Sequence, residues 1–145
     1  MKVEVNLNVH ARGFTISQVK KIISDVLRLE RKKDYGVSVL LTGDKEIRKI
    51  NKKYLRHDFA TDVISFGVDE DTRVKGEVKF LGDIVVSVET AKKTAGRLGI
   101  SFKEELARYL IHGTLHLLGY RDENEKAKAA MWRRQEFLLK KTAAA

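Results

Sequence analysis

At 145 residues with 43% apolar side chains, the chain can build one core and is short for two, so a single domain is expected. It has no cysteine, which excludes disulfides, a disulfide-linked partner and any thiolate metal site, leaving His, Asp and Glu as metal ligands. A formal net charge of +9, from 29 Lys and Arg against 20 Asp and Glu, suits a polyanionic partner such as RNA or DNA, although a heat-adapted Lys- and Glu-rich surface gives the same count.

The first segment, MKVEVNLNVH, alternates apolar and polar and predicts a half-buried strand over Lys2 to Val9. It lacks the apolar core of a secretion signal, and no apolar run approaches membrane length, so a soluble, cytoplasmic protein with no membrane partner is expected. Thr15 and Gln18 have the spacing of a capping box, and Val19, Ile22, Ile23, Val26 and Leu27 then recur at helical spacing up to Arg31, Lys32 and Lys33. Tyr35, Val37, Val39 and Leu41 predict a second strand. Strand, helix, strand in that order predicts a parallel crossover. A second helix from near Asp44 is striped by Ile47, Ile50 and Tyr54.

Residues 55 to 61 have no period and read as a loop into a short strand, Asp62 to Phe66. The charged stretch 67 to 77 suits a mobile connection. Val78 to Val86 is apolar enough to be central in a sheet, with Gly82 marking a bulge or a close approach. Three helices follow. One runs from about Glu89 to Leu98; a long one after a Ser101 and Glu104 capping box reaches Leu118 on a stripe of Leu106, Leu110, Gly113 and Leu117. The last covers Glu123 to Lys141, with Ala127, Ala130, Met131, Phe137 and Leu138 inward, and residues 142 to 145 frayed. Strands come first and helices cluster late, so the fold class is α+β, one mixed sheet of about four strands packed by about five helices.

The stretch HGTLHLLGYRD, residues 112 to 122, organises the rest. His112 and His116 stand four apart, so on a helix both imidazoles leave one face, about a third of a turn from the core stripe. Gly119 can then reverse the chain, since glycine accepts the left-handed conformation that ends many helices, and return Asp122 toward them. Two nitrogens and one oxygen make a plausible zinc shell with a fourth tetrahedral position open for water. Asp122 has a rival role, with Glu125 three residues on, as the cap of the last helix. The helix is zincin-like in spacing but carries Gly113 where metalloproteases place a glutamate base. A metal-activated water remains available for phosphodiester chemistry.

Four pieces of sequence resemble the YbeY family of bacterial metallo-endoribonucleases: Asn51 to Tyr54 with Asp58, Thr61 to Phe66, Leu81 to Ile84, and His112 to Asp122. The resemblance implies a single-strand-specific, metal-dependent endoribonuclease acting in 16S ribosomal RNA 3′-end maturation and ribosome quality control, with the small ribosomal subunit as partner and zinc as the metal. It departs in three places. Asp122 stands where the family pattern has a third histidine, Ala60 replaces a proline, and the arginine expected directly after Tyr54 is displaced by Leu55 to Arg56, which then takes the catalytic contact to RNA phosphate. Asp58, Asp62 and Asp83 are candidate outer carboxylates, His57 a candidate proton shuttle, and His10 a weaker candidate. Two other readings stay open: a zinc-dependent hydrolase of peptides or small molecules, and a non-catalytic, metal-stabilised ribosome-binding factor.

Overall fold

Period-two patterning puts β1 (Lys2–Leu7) beside β2 (Tyr35–Thr42) in parallel register, Val3 against Val37 and Val5 against Val39. The computed structural model describes residues 2–9, 13–56, 62–67, 74–75 and 78–142. Between the two strands, α1 (Ile16–Leu29) starts on a complete capping box: Thr15 Oγ1 accepts from Gln18 N (3.1 Å), and Thr15 N donates to Gln18 Oε1 (2.8 Å). Its stripe Val19, Ile22, Ile23, Val26 and Leu27 is no more than 1% exposed. At about 1.5–3 kcal/mol per buried aliphatic side chain, that face far outweighs helix propensity in holding α1 on the sheet. The pairing of β1 ends at Leu7, which is exposed, two residues short of the expected Val9.

The remaining elements are α2 (Asp44–Leu55), β3 (Val63–Gly67), β4 (Val74–Lys75), β5 (Val78–Ser87), α3 (Val88–Leu98), α4 (Phe102–Leu117) and α5 (Glu125–Lys141). The sheet runs β1-β2-β5-β3, with the two-residue β4 pairing β5. Strand β5 is central, parallel to β2 and antiparallel to β3 and β4. This is the mixed α+β sheet expected from the sequence, the short β4 being an addition to the four expected strands. At Gly82 the φ of +147° and the shifted register opposite Gly36 and Val37 make both a bulge and a close approach, because a Cβ there would run into the Phe66 carbonyl.

Alternation on β2 and β5 separates two cores. Val37, Val39, Leu41, Ile84 and Val86 join the large cluster with α1, α4 and α5, whereas Leu40 and Val85 face the other way, onto Ile47 and Ile64. Helix α4 packs against α1, α3, α5, β3 and β5. Such a helix is apolar nearly all round, so its stripe extends beyond the expected four residues to Ala107, Ile111, Thr114 and Leu115. Four expectations need correction. Tyr54 is 61% exposed because Asn51 takes the inward position on α2, leaving the ring edge-on to Phe66. On α5 the inward column is Met131, Gln135, Leu138 and Leu139, while Ala130 and Phe137 face out. The third is the start of α5 at Glu125 rather than Glu123, behind an Asn124 cap. Finally, Thr142 is buried and donates to Leu139 O (3.1 Å), so it is not frayed.

Candidate metal centre

Helix α4 begins where Ser101 Oγ accepts from Glu104 N (3.0 Å). It ends on a Schellman turn: Gly119 N donates to His116 O (3.1 Å) and Tyr120 N to Leu115 O (3.0 Å), with Gly119 at φ +102°. A Cβ-bearing residue would be strained there, so glycine is what lets the chain double back at that point. The turn is fastened from outside, since Tyr120 Oη donates to Glu30 Oε1 (3.1 Å), which also accepts from Arg134 Nε (3.0 Å). Burial first, and then the Glu30 carboxylate, push the Tyr120 phenol above its usual range and keep it a donor. Helix α5 is capped by Asn124, whose side chain accepts from Ala127 N (2.8 Å). The rival role for Asp122 therefore falls to Asn124, two residues on.

His112 and His116 are both half-buried at the edge of the core, and Asp122 is exposed. Their Nε2 atoms stand 3.1 Å apart, and Asp122 Oδ2 lies 3.4 Å from His116 Nε2. One ligand atom from each of the three falls within 4.8 Å of the others, an arrangement that could hold a metal ion. With zinc bonds of about 2.0–2.1 Å in a tetrahedron, ligand atoms are separated by about 3.3 Å, which the His112–His116 and His116–Asp122 separations already match.

The hydrogen atoms decide whether the donors are usable. Gln135 Nε2 donates to Glu136 Oε2 (3.2 Å), so its amide oxygen is the atom facing His112 Nδ1 (2.8 Å). The proton of His112 then sits on Nδ1. His116 Nδ1 faces the Tyr120 carbonyl (3.2 Å), another acceptor, and must also carry its proton. With both rings neutral, the two Nε2 lone pairs face one another, an arrangement that a cation held between them satisfies. Burial, then the adjacent His116, holds the His112 imidazole below its usual pKa against the Gln135 hydrogen bond, and so keeps it neutral.

The family model described as Endoribonuclease YbeY matches residues 5–143. The chain belongs to the YbeY family. Endoribonuclease YbeY of Persephonella marina is 37% identical over 128 residues, spanning 88% of this chain and 83% of that protein. The Sulfurihydrogenibium protein of the same name is 35% identical over 141 residues, 97% of this chain and 91% of that one. The solution structure of TM1509 from Thermotoga maritima superposes with a TM-score of 0.69 over 95% of this chain and 87% of its own, and at 24% identity it speaks to the fold alone.

In this YbeY-family chain His112 and Asp122 open into a cavity of about 610 Å³, whose wall also includes Asp62, Tyr109 and Gln135. Burial first, and then the nearby Glu105 and Asp62 carboxylates, against a Thr94 hydrogen bond, push the Tyr109 phenol up to about 12, so it is a neutral donor there. Behind Gln135 the network continues. Arg108 grips Glu136 with two bonds (Nε 2.9 Å, Nη2 3.0 Å) and Glu105 with a third (2.7 Å). Burial alone would raise the Glu136 carboxyl, but the hydrogen bonds from Arg108 and Gln135 prevail and hold it below the usual carboxylate range.

Arg56 caps α2 with φ +60° and is exposed; it is not among the described residues that line the cavity. Asp62 does line it, with Oδ1 accepting from Val63 N (2.7 Å). Asp83 is exposed on β5. His10, His57, Asp58, Ala60 and Thr61 lie outside the described residues, as do most of those expected in the mobile connection. Sequence reasoning missed Gln135. Its signal was positional, one turn after Met131 and in phase with Leu138, but an inward glutamine gives no hydropathy signal. Gln135→Leu keeps the volume and removes the acceptor, so metal affinity, read by competition with a chelating indicator, is expected to fall about 10- to 100-fold. Unchanged affinity with a lowered melting temperature would make Gln135 a packing residue only.

Proposed function

We propose that this protein is a metal-dependent endoribonuclease that cuts single-stranded RNA, with one divalent cation, zinc first among candidates, held by His112, His116 and Asp122. The observation that carries the reading is the pair of imidazoles whose Nδ1 protons are already committed to Gln135 and Tyr120, leaving two lone pairs and a carboxylate converging at one side of a cavity, in a chain of the YbeY family. Residues 1–145 act as a single hydrolase domain. A cation bound there would supply Lewis acidity toward a phosphoryl oxygen and bring the pKa of a water toward neutrality.

The chain's own part is positional. Gln135 and the Tyr120 carbonyl fix the ring orientations, the Schellman turn sets the reach of Asp122, and burial keeps His112 neutral. Arg56, exposed at the end of α2, meets an RNA phosphate from outside the cavity. The net charge of +9 draws a polyanion toward the site. Within the cell the reading places the protein in the cytoplasm, on ribosomal RNA of the small subunit at its 16S 3′ end. No helix of the described residues is long and apolar enough to cross a membrane. The test is cleavage of a single-stranded RNA by purified protein beside a duplex of the same sequence, with His112→Ala and His116→Ala as controls. Cutting that survives both substitutions would place the reaction elsewhere.

The carboxylate ligand has a consequence of its own. Asp122 cancels one unit of the cation's charge, so Asp122→His, which matches the family's three-imidazole pattern, is expected to move the rising limb of the pH–rate profile to lower pH by about 1 unit. No shift in that limb would mean that Asp122 is not bound to the ion. A peptide-hydrolase reading finds no base at Gly113, which is buried against β3 and β5. The non-catalytic ribosome-binding reading predicts a lower melting temperature on chelation with no RNA turnover.

A further inference from the structure

Trp132 is the chain's only tryptophan. It is 55% exposed although its neighbours on α5, Met131 and Gln135, are 2% exposed. An indole left in water is an unusual use of the largest side chain, and this one lines the cavity that holds His112 and Asp122. Leu98, at the end of α3 and 58% exposed, lines the same cavity. The Arg108 guanidinium lies 6.0 Å from the indole centroid. Arg108 cannot follow solvent, because Glu136 and Glu105 hold it by three hydrogen bonds. The ring is thus braced by a fixed cation and still largely uncovered. Lys128, one turn earlier on α5, and Arg133, the next residue, line the cavity with it.

A flat aromatic surface flanked by cations, beside a hydrolytic centre, is how proteins take hold of single-stranded nucleic acid: the ring stacks a base while the cations meet phosphates. We infer that Trp132 is a nucleobase-stacking subsite of the cavity, with Lys128 and Arg133 meeting the phosphates on either side of the stacked base. This rests on the ribonuclease reading and deepens it. A base inside a duplex has both faces covered by its neighbours, so a substrate that must present one free face to Trp132 has to be single-stranded. The preference for single strands then comes from the wall of the cavity rather than from the ion.

A sole tryptophan reports on itself. In metal-free protein held in chelator, where RNA stays intact, a short single-stranded RNA is expected to quench the fluorescence of Trp132. An oligomer of the same length with abasic sugars, and a duplex of the same sequence, are expected to leave it unchanged. In the metal-loaded enzyme Trp132→Leu is expected to raise KM for single-stranded RNA about 5- to 150-fold, matching ~1–3 kcal/mol of base stacking, with kcat at saturation held. Trp132→Phe recovers most of the loss. Quenching equal with the abasic oligomer, or an unchanged KM in Trp132→Leu, overturns the subsite, and wild-type cleavage then still supports the ribonuclease reading. Base-dependent quenching without any cleavage by the loaded wild type does the reverse, keeping the subsite and removing the enzyme. Fluorescence that changes with protein concentration in the absence of RNA would make Trp132 a contact between copies of this chain and overturn the proposal.

Discussion

Alanine at His112 or at His116 is expected to reduce cleavage of single-stranded RNA by more than the ~100-fold that loss of an outer hydrogen-bonding partner produces, and to leave the metal-free fold nearly unchanged. Both rings are half-buried, and His112 lines the cavity, so truncation removes little of the core packing carried by Leu106, Leu110, Ile111 and Leu115, each 0% exposed. The ion separates a ligand from a merely well-placed side chain. Anything that binds only the folded state raises its stability, by about 2.7 kcal/mol when present at a hundred times its dissociation constant. Chelator should therefore lower the melting temperature of the wild type and do nothing to either variant. A variant that keeps its response to chelator while losing activity would show the histidine acting on RNA rather than on the ion. Wild-type protein that responds to chelator yet never cuts RNA would favour the ribosome-binding reading.

How much of this could be seen in the sequence depends on which physical signal each residue leaves. Val37, Val39 and Leu41 on β2, and the α1 stripe, announce themselves by period, and all of them are buried. The convergence of His112, His116 and Asp122 was legible because one glycine at the correct distance implies a chain reversal, and Gly119 does adopt positive φ. Period failed where polarity and burial part company. Tyr54 fits the spacing of Ile47 and Ile50 but stands in water, since Asn51 occupies the inward position. The inward column of α5 contains Gln135, buried because it serves His112, and reading that helix by hydropathy turns it toward Phe137. The phenylalanine instead sits outside under Arg134, 4.8 Å from its ring centroid. Neither residue can be placed without knowing what lies opposite, and that information belongs to the tertiary structure.

Gly113 connects the fold to the chemistry most directly, and substituting it is expected to give the largest loss of stability. In an exposed helix Gly→Ala would add about 0.5–1 kcal/mol. Here a Cβ would lie 2.7 Å from Ile84 Cγ2, 3.2 Å from Val63 Cγ2 and 3.3 Å from Ser65 Oγ. Ile84 belongs to β5, which is paired on both sides, and Ser65 Oγ donates to the Gly113 carbonyl (3.0 Å), fastening β3 to α4 at that residue. The sheet cannot retreat without breaking this bond or the ladder. Overpacking of that kind costs about 1–3 kcal/mol, more than the helix gains, so Gly113→Ala is expected to lower the urea midpoint of the metal-free protein. Gly113→Glu would also drive a carboxylate into the apolar contact between α4, β3 and β5 without a partner, at a further cost of several kcal/mol, and is expected to unfold the chain rather than confer peptidase activity. A Gly113→Ala protein more stable than the wild type would mean that α4 has room against the sheet. The missing glutamate base would then reflect a choice of chemistry alone, whereas the contacts of Gly113 place its cause in the packing that holds His112 at the cavity.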